Sequence, residues 1–197
     1  MRQDQQDIRK NEIEAAAYTL LAEKGFGGMS MLTLAKTARA SNETLYRWYG
    51  DKLGLVSRMI ARNAAEAREL AETALSDDTD PEAALRQLAP ILLAMLLGDR
   101  AIALNRAAAT DPSGALGQAL AEQGRNTLGP LITQILGRLP LATPPDAAFD
   151  RFMSLLVGDL QMRRAIGVLP PPSQQVITAR AKHAVDDFLT LSLRHGR

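Results

Sequence analysis

Apolar residues along this chain recur at spacings of three and four, and no run alternates at two. Such spacing gathers them on one face of a helix, so the pattern predicts an all-α protein. A first helix is expected over Ile8–Lys24, with Ile13, Ala16, Ala17, Leu20 and Leu21 on its inner face and Gly25 as its stop. Two short patterns follow. Met31–Ala38 turns Leu34, Ala35 and Ala38 to one side, and Ser30 stands ready as its N-cap. Asn42–Tyr49 turns Leu45 and Trp48 inward behind Ser41, with Arg39-Ala40-Ser41 as the turn between. A fourth helix starts at Asp51 and is expected to reach about Leu75.

Beyond a linker at Ser76-Asp77-Asp78-Thr79, the triplet Asp80-Pro81-Glu82 is a strong start signal: a capping acid, a proline at the first helical position, and an acid in the first turn. That helix should run to Leu97, with Pro90 predicting a kink. Another is expected over Arg100–Ala109, then a longer one from Ala115 to Leu139 interrupted at Gly129-Pro130. The last two, Ala147–Ile166 and Gln174–Leu193, are strongly apolar. The first carries Phe149, Phe152, Met153, Leu156, Val157 and Leu160; the second carries Val176, Ile177, Ala181, Ala184, Val185, Phe188, Leu189 and Leu191. So broad an apolar surface suits a bundle formed with a second copy of the chain, and the alternative is that it closes the subunit's own core.

The segment Ser30–Lys52 carries the most chemistry. Two short helices joined by a tight turn, the second leaving Asn42, Glu43, Thr44, Tyr46 and Arg47 outward, form a helix-turn-helix pattern, which taken alone is better matched by an ordinary helical hairpin. A helix of that size enters the major groove with its N-terminal side chains at the base edges, provided its back is held rigidly.

Composition narrows the class. There are no cysteines, which excludes disulfides and thiolate-held metals and fits a reducing cytoplasm. The start, Met1-Arg2-Gln3-Asp4-Gln5-Gln6, lacks the apolar core of a signal peptide, and the longest apolar stretch, Ile91–Leu97, is too short to span a bilayer. A cytoplasmic protein with no membrane partner is expected. Net charge is +1, but it divides unevenly: residues 1–62 hold ten Lys/Arg against seven Asp/Glu, or +3, leaving −2 for the remainder. That asymmetry has the sign expected of a DNA-contacting N-terminal end.

The stretch Ile8–Leu55 resembles the N-terminal domain of the TetR family. The residues that carry the likeness are the first helix ending in Gly25-Phe26, the Leu34-Ala35 pair, the block Ser41-Asn42-Glu43-Thr44-Leu45-Tyr46, and Asp51-Lys52. Two positions depart from the pattern: Arg39 stands in a turn where glycine is usual, and Gly54 lies in the first turn of the fourth helix, where a better helix former is expected. More loosely, Leu155–Gly167 with Phe188-Leu189 is similar to the C-terminal domain of AcrR-type members.

The resemblance implies a helix-turn-helix DNA-binding domain over residues 1–55, with the motif at about 30–49, and a helical effector-binding and dimerisation domain over 56–197. It implies a dimeric repressor, released from a palindromic operator by a small hydrophobic effector, with no cofactor and no metal. Asn42, Glu43 and Thr44 would meet base edges, and Arg47 a guanine or a phosphate. Tyr46 and Lys52 would hold phosphates, with Thr33 and Ser41 as lesser contacts; Trp48 and Tyr49 would divide between core and backbone clamp, and Arg9 and Lys10 between phosphate contact and solvated helix end. Met59, Met95, Met153 and Met162 are candidates for an adaptable effector cavity, or for plain core. Two other functions compete: a regulator or activator that needs no ligand and uses its body to bind proteins, and, remotely, an enzyme built on His183 with Asp186 and Asp187. No nucleophile or glycine-rich loop accompanies that histidine, so no catalytic residue is expected.

Overall fold

The computed structural model describes residues 3–193. They form an all-α fold, with no strand among the described residues beyond an isolated bridge between Leu141 and Leu193. Among the described residues twelve α-helices follow in order: α1 (Gln3–Gly28), α2 (Met31–Thr37), α3 (Asn42–Tyr49), α4 (Lys52–Asn63), α5 (Ala65–Ser76), α6 (Pro81–Leu97), α7 (Asp99–Ala109), α8 (Ala115–Leu120), α9 (Asn126–Gly137), α10 (Pro145–Leu156), α11 (Leu160–Ala165) and α12 (Gln174–Ser192). They belong to two compact units. One comprises the chain up to Arg62 together with Ala103–Gln123; the other comprises Asn63–Ile102 and the chain from Gly124 onward.

The first unit packs α1–α4 around Ile13, Ala17, Leu20, Leu21, Leu34, Leu45, Leu55, Val56 and Met59. Leu104 and Ala107 of α7, and Leu116 and Ala119 of α8, complete that core. α1 is broken at Gly25, whose φ of 65° and ψ of 178° end the regular helix where the sequence predicts. A buried carboxylate ties α1 to α4: Glu14, 7% exposed, accepts from Arg62 Nη1 at 3.0 Å, and Arg62 also bonds Asn11. The helix expected from Asp51 to Leu75 is in fact two, separated at Ala64 (φ −92°, ψ −4°). No glycine or proline marks this break, and it coincides with the chain's departure from the first unit.

The second unit is built on α5, α6, α9, α10 and α12. α5 contributes the alanine face Ala67, Ala71 and Ala74 to the same core as α6 and α9. Phe152 of α10 meets Phe188 of α12 edge-on, ring centroids 5.6 Å apart. Asp80 caps α6 by accepting from Ala83 N–H at 2.9 Å, and the helix continues through Pro90 to Leu97. Its last carbonyls are satisfied by side chains: Gln161 donates to Leu96 at 3.0 Å, and the buried Arg164 donates to Leu97 at 3.1 Å while pairing with Asp99 at 2.6 Å.

Two expectations here are corrected. The interruption in the Ala115–Leu139 pattern is a π-helical turn at Ala121–Arg125, and Pro130 lies inside α9. The wider turn just upstream changes the helical register before the residue that lacks an N–H. The predicted helix Ala147–Ile166 is divided at Val157–Asp159, where Gly158 takes φ 50°. Arg180 of α12 satisfies the end of α10, donating to the carbonyls of Leu155 at 2.6 Å and Leu156 at 3.2 Å. On α12, Ile177, Ala181, Ala184, Val185, Phe188 and Leu189 line the subunit's own core, while Val176 and Leu191 are exposed.

Candidate nucleic-acid interface

Each of the two short helices of the motif is started by a serine. Ser30 Oγ accepts from Thr33 N–H at 3.1 Å, and Thr33 Oγ1 accepts in return from Ser30 N–H at 2.9 Å, a reciprocal capping box. Ser41 Oγ accepts from Thr44 N–H at 3.0 Å and donates to Thr44 Oγ1 at 2.9 Å. Thr33, Ser41 and Thr44, all expected at DNA, are therefore also the residues that shape the helix ends. Any contact they make with DNA shares a hydroxyl already engaged in a cap.

α3 has a sharp division of faces. Leu45 and Tyr49 are buried, Trp48 is half-buried, and Asn42, Glu43, Tyr46 and Arg47 are exposed. None of those four side chains makes a hydrogen bond or ion pair with another described residue, so their polar groups are free for a partner. The expected inward pair, Leu45 and Trp48, is replaced by Leu45 and Tyr49: a four-residue step follows the helix period more closely than a three-residue one. Tyr49 is 5% exposed and its hydroxyl is buried with no hydrogen-bond partner, so it belongs to the core and not to a contact surface. Burial, and secondarily the Glu14 carboxylate, push its phenol up from 10.0 to about 12. Trp48 stands edge-on to Tyr49 at 6.5 Å.

The exit from α3 is equally constrained. Gly50 takes φ 78° and its N–H reaches Tyr46 O at 2.8 Å. Asp51 Oδ1 then accepts from Gly54 N–H at 2.7 Å. Gly54 is required by close approach: a Cβ there would stand 2.1 Å from the carbonyl oxygen of Tyr49. The sequence's apparent fault in the first turn of α4 is thus the point where the recognition helix packs its end against the next element. Lys52 donates to Phe26 O at 2.8 Å and lies 4.1 Å from the Phe26 ring centroid, so it also fastens α4 to the end of α1.

Two further features of the motif concern the turn. Arg39 has φ 50°, a left-handed conformation that the sequence flags by putting arginine where glycine is usual. Arg9, a candidate phosphate contact, instead directs Nη2 to the carbonyls of Ala38 at 2.8 Å and Arg39 at 2.7 Å. Nothing in the sequence pattern pairs residues 9 and 39. Of the two apolar residues opening α2, Met31 is buried and Leu32 is 54% exposed.

Elsewhere, the acid beside His183 is engaged in ion pairs. Asp186 accepts from Lys182 at 2.8 Å and Arg86 at 2.7 Å, which hold its carboxyl below the usual carboxylate range. Among the described residues no cluster of His, Asp or Glu is arranged to hold a metal ion. Met59 lies in the first unit's core, Met95 and Met153 edge the second unit's core, and Met162 is 64% exposed. No single helix among the described residues is long and apolar enough to cross a membrane.

A capped short helix, buried along its back and offering four unpaired polar side chains, has the division of faces that a helix-turn-helix requires of its second helix. Comparison with known proteins agrees. The family model for bacterial regulatory proteins of the tetR family matches residues 13–59, and that for the AefR-like transcriptional repressor C-terminal domain matches residues 83–191. The fold is shared with a Mesorhizobium loti MAFF303099 protein assigned to the TetR family (TM-score 0.73, 25% identity, covering 95% of this chain and 98% of that one). It is shared also with a TetR transcriptional regulator from Agrobacterium tumefaciens (TM-score 0.69, 31% identity, covering 93% and 94%). Among curated proteins, the uncharacterized HTH-type transcriptional regulator YdeS of Bacillus subtilis (strain 168) is 31% identical over 64 residues, a match spanning 32% of each protein. The chain belongs to the TetR family, and it is a DNA-binding transcriptional regulator.

Proposed function

We propose that the protein is a homodimeric repressor that reads a near-palindromic operator and leaves it when a small hydrophobic effector binds. Functionally, residues 1–55 serve as the DNA-binding head and residues 56–197 as the effector-binding and dimerising body, in the cytoplasm. The observation that carries the reading is the free outer face of α3, where Asn42, Glu43, Tyr46 and Arg47 are exposed and unpaired. Asn42 suits adenine, Glu43 accepts from cytosine N4, and Thr44 lies beside them at the base edges. Arg47 reads guanine O6 and N7 or holds a phosphate, Tyr46 and Lys52 hold phosphates, and Thr33, Ser41 and the exposed edge of Trp48 add backbone contacts.

Two heads are needed for operator affinity, and a twofold pair presents recognition helices about 34–36 Å apart on successive major grooves. Support for pairing comes from the apolar groups that the last helices leave in solvent: Val176 and Leu191 on α12, Met162 on α11, and Ile166 just after it. Support for repression comes from the description of the matched C-terminal family. Release by an effector requires modest energy: a hundredfold loss of DNA affinity is about 2.7 kcal/mol of differential binding. Selection of bound duplexes from random DNA by the full-length protein tests the reading. A two-part inverted repeat is expected, and the absence of any enriched duplex at low salt overturns the assignment.

A further inference from the structure

The turn between α2 and α3 closes in a way that its sequence makes costly. Ala40 N–H bonds Ala35 O at 2.9 Å and Arg39 N–H bonds Lys36 O at 3.3 Å, the paired bonds of a Schellman closure, with Arg39 in the left-handed position. Glycine normally takes that position because a side chain there meets its own backbone. The closure consumes the carbonyls of Ala35 and Lys36 and leaves those of Ala38 and Arg39 pointing out. One nitrogen of Arg9 accounts for both, at 2.8 and 2.7 Å, and the other nitrogen is held by Glu12 on the same helix. The Arg39 side chain is exposed, and no hydrogen bond or ion pair engages it among the described residues. A strained arginine whose charge does nothing inside the protein, secured through its backbone by a second arginine from 30 residues away, is an arrangement that stability alone does not explain.

We propose that Arg39 is a DNA-phosphate contact and that Arg9 is the positioning residue that makes it possible, by holding the strained turn that precedes the recognition helix. The charge of Arg39 lies two residues before Ser41, whose side chain starts α3, so it stands at the N-terminal approach of the helix entering the groove. Glycine would relax the turn but supply no charge there. Arg9 thereby acts on DNA only through the turn, although its own guanidinium is cationic. The inference rests on α3 being the DNA-contacting helix.

The two arginines differ in what their loss should do, and salt separates them. Removing a cation that neutralises one phosphate of B-DNA reduces the slope of log K against log salt by about 0.9. With an operator selected from random duplexes, Arg39→Gln removes one such cation from each of the dimer's two heads and should lower that slope by about 1.8, about 0.9 per head. Arg39→Lys should leave the slope at the wild-type value. Arg9→Met should weaken binding by about five- to tenfold without changing the slope, the larger figure equal to ~1.4 kcal/mol. In an Arg39→Gly background, where the turn needs no restraint, adding Arg9→Met should cause no further loss. Should Arg9→Met fail to fold, the double variant should still fold and bind as Arg39→Gly does. An unchanged slope in Arg39→Gln, a slope change in Arg9→Met, or a full additive loss or failure to fold in the double variant overturns the proposal. Arg47→Ala distinguishes the underlying reading: if it leaves binding intact, the choice of α3 as the reading helix fails. If it abolishes recognition while the turn variants behave as wild type, only the roles of Arg9 and Arg39 fail.

Discussion

Replacing Gly54 with alanine sets two physical expectations against each other. Gly54 lies in the first turn of α4, and intrinsic preference favours alanine over glycine in a helix by about 1 kcal/mol. The geometry says otherwise. The new methyl group would fall 2.1 Å from the Tyr49 carbonyl oxygen and 3.3 Å from its carbonyl carbon. Ordinary van der Waals contact for a Cβ begins at 3.4 Å, and the obstacle is backbone, with no rotamer to change. Forcing a methyl into such a space costs about 1–3 kcal/mol, toward the upper end when the neighbour is main chain. After the gain in helix propensity, a net destabilisation of about 2 kcal/mol is expected. Because the displaced carbonyl belongs to Tyr49, the last residue of the recognition helix, operator affinity should fall as well. Urea unfolding followed by circular dichroism gives the first quantity and operator titration the second. Gly117 of α8 is the internal control: nothing lies within 4 Å of its added Cβ, so Gly117→Ala should stabilise by up to about 1 kcal/mol. A Gly54→Ala protein as stable as the wild type, bound to DNA with full affinity, refutes the packing argument.

Three other outcomes follow from the same contacts. Tyr49→Phe removes a buried hydroxyl that has no partner and should stabilise the protein by about 1 kcal/mol near neutral pH. The folded protein keeps the Tyr49 proton up to about pH 12, whereas the unfolded chain loses it near 10.0, so stability drains away as pH rises through that window; pH-dependent melting should show a shallower alkaline decline in the phenylalanine variant, and identical declines would sink the account. Arg47→Ala should leave the melting temperature alone, since Arg47 has no partner among the described residues, while costing about 1–3 kcal/mol of operator binding per half-site and relaxing preference at one base pair of each half-site if a guanine is read; a uniform loss across single-base operator variants assigns it to a phosphate instead. Arg164→Met leaves the Leu97 carbonyl without its donor at a buried site and should cost about 2–4 kcal/mol in urea unfolding; a loss under 1 kcal/mol would mean that water replaces the guanidinium without penalty.

The parts of this fold that could be read from the sequence are those decided within a few residues. Ser30, Ser41 and Asp80 announce helix starts because a short side-chain oxygen meets a backbone N–H two or three positions on, and all three do so in the structure. The polar face of α3 is equally local. What escapes depends on neighbours distant along the chain. The break at Ala64 has no glycine or proline to mark it, and the division at Gly158 is held by Arg180 from the last helix. Tyr49 and Trp48 are adjacent aromatics on one short helix, and only the walls around them decide which goes inside. Glu14 reads as a surface acid until Arg62 arrives from α4 to pair with it. Gly54 and Arg39 are visible as departures, and their reasons lie in a carbonyl five residues back and an arginine thirty residues back.

The compact unit that holds the DNA-reading helix is not a continuous stretch of polypeptide. Leu104, Ala107, Leu116 and Ala119 line the same interior as Leu34, Leu45 and Met59, with forty residues of the other unit intervening between Arg62 and Ala103. A ribosome that has made only the first sixty-two residues has therefore not yet supplied everything that interior requires. The head reaches its finished packing only after synthesis has passed Ala119, and a shortened gene ending near α4 would yield a fragment with bare apolar flanks, prone to clump before it could ever search a chromosome.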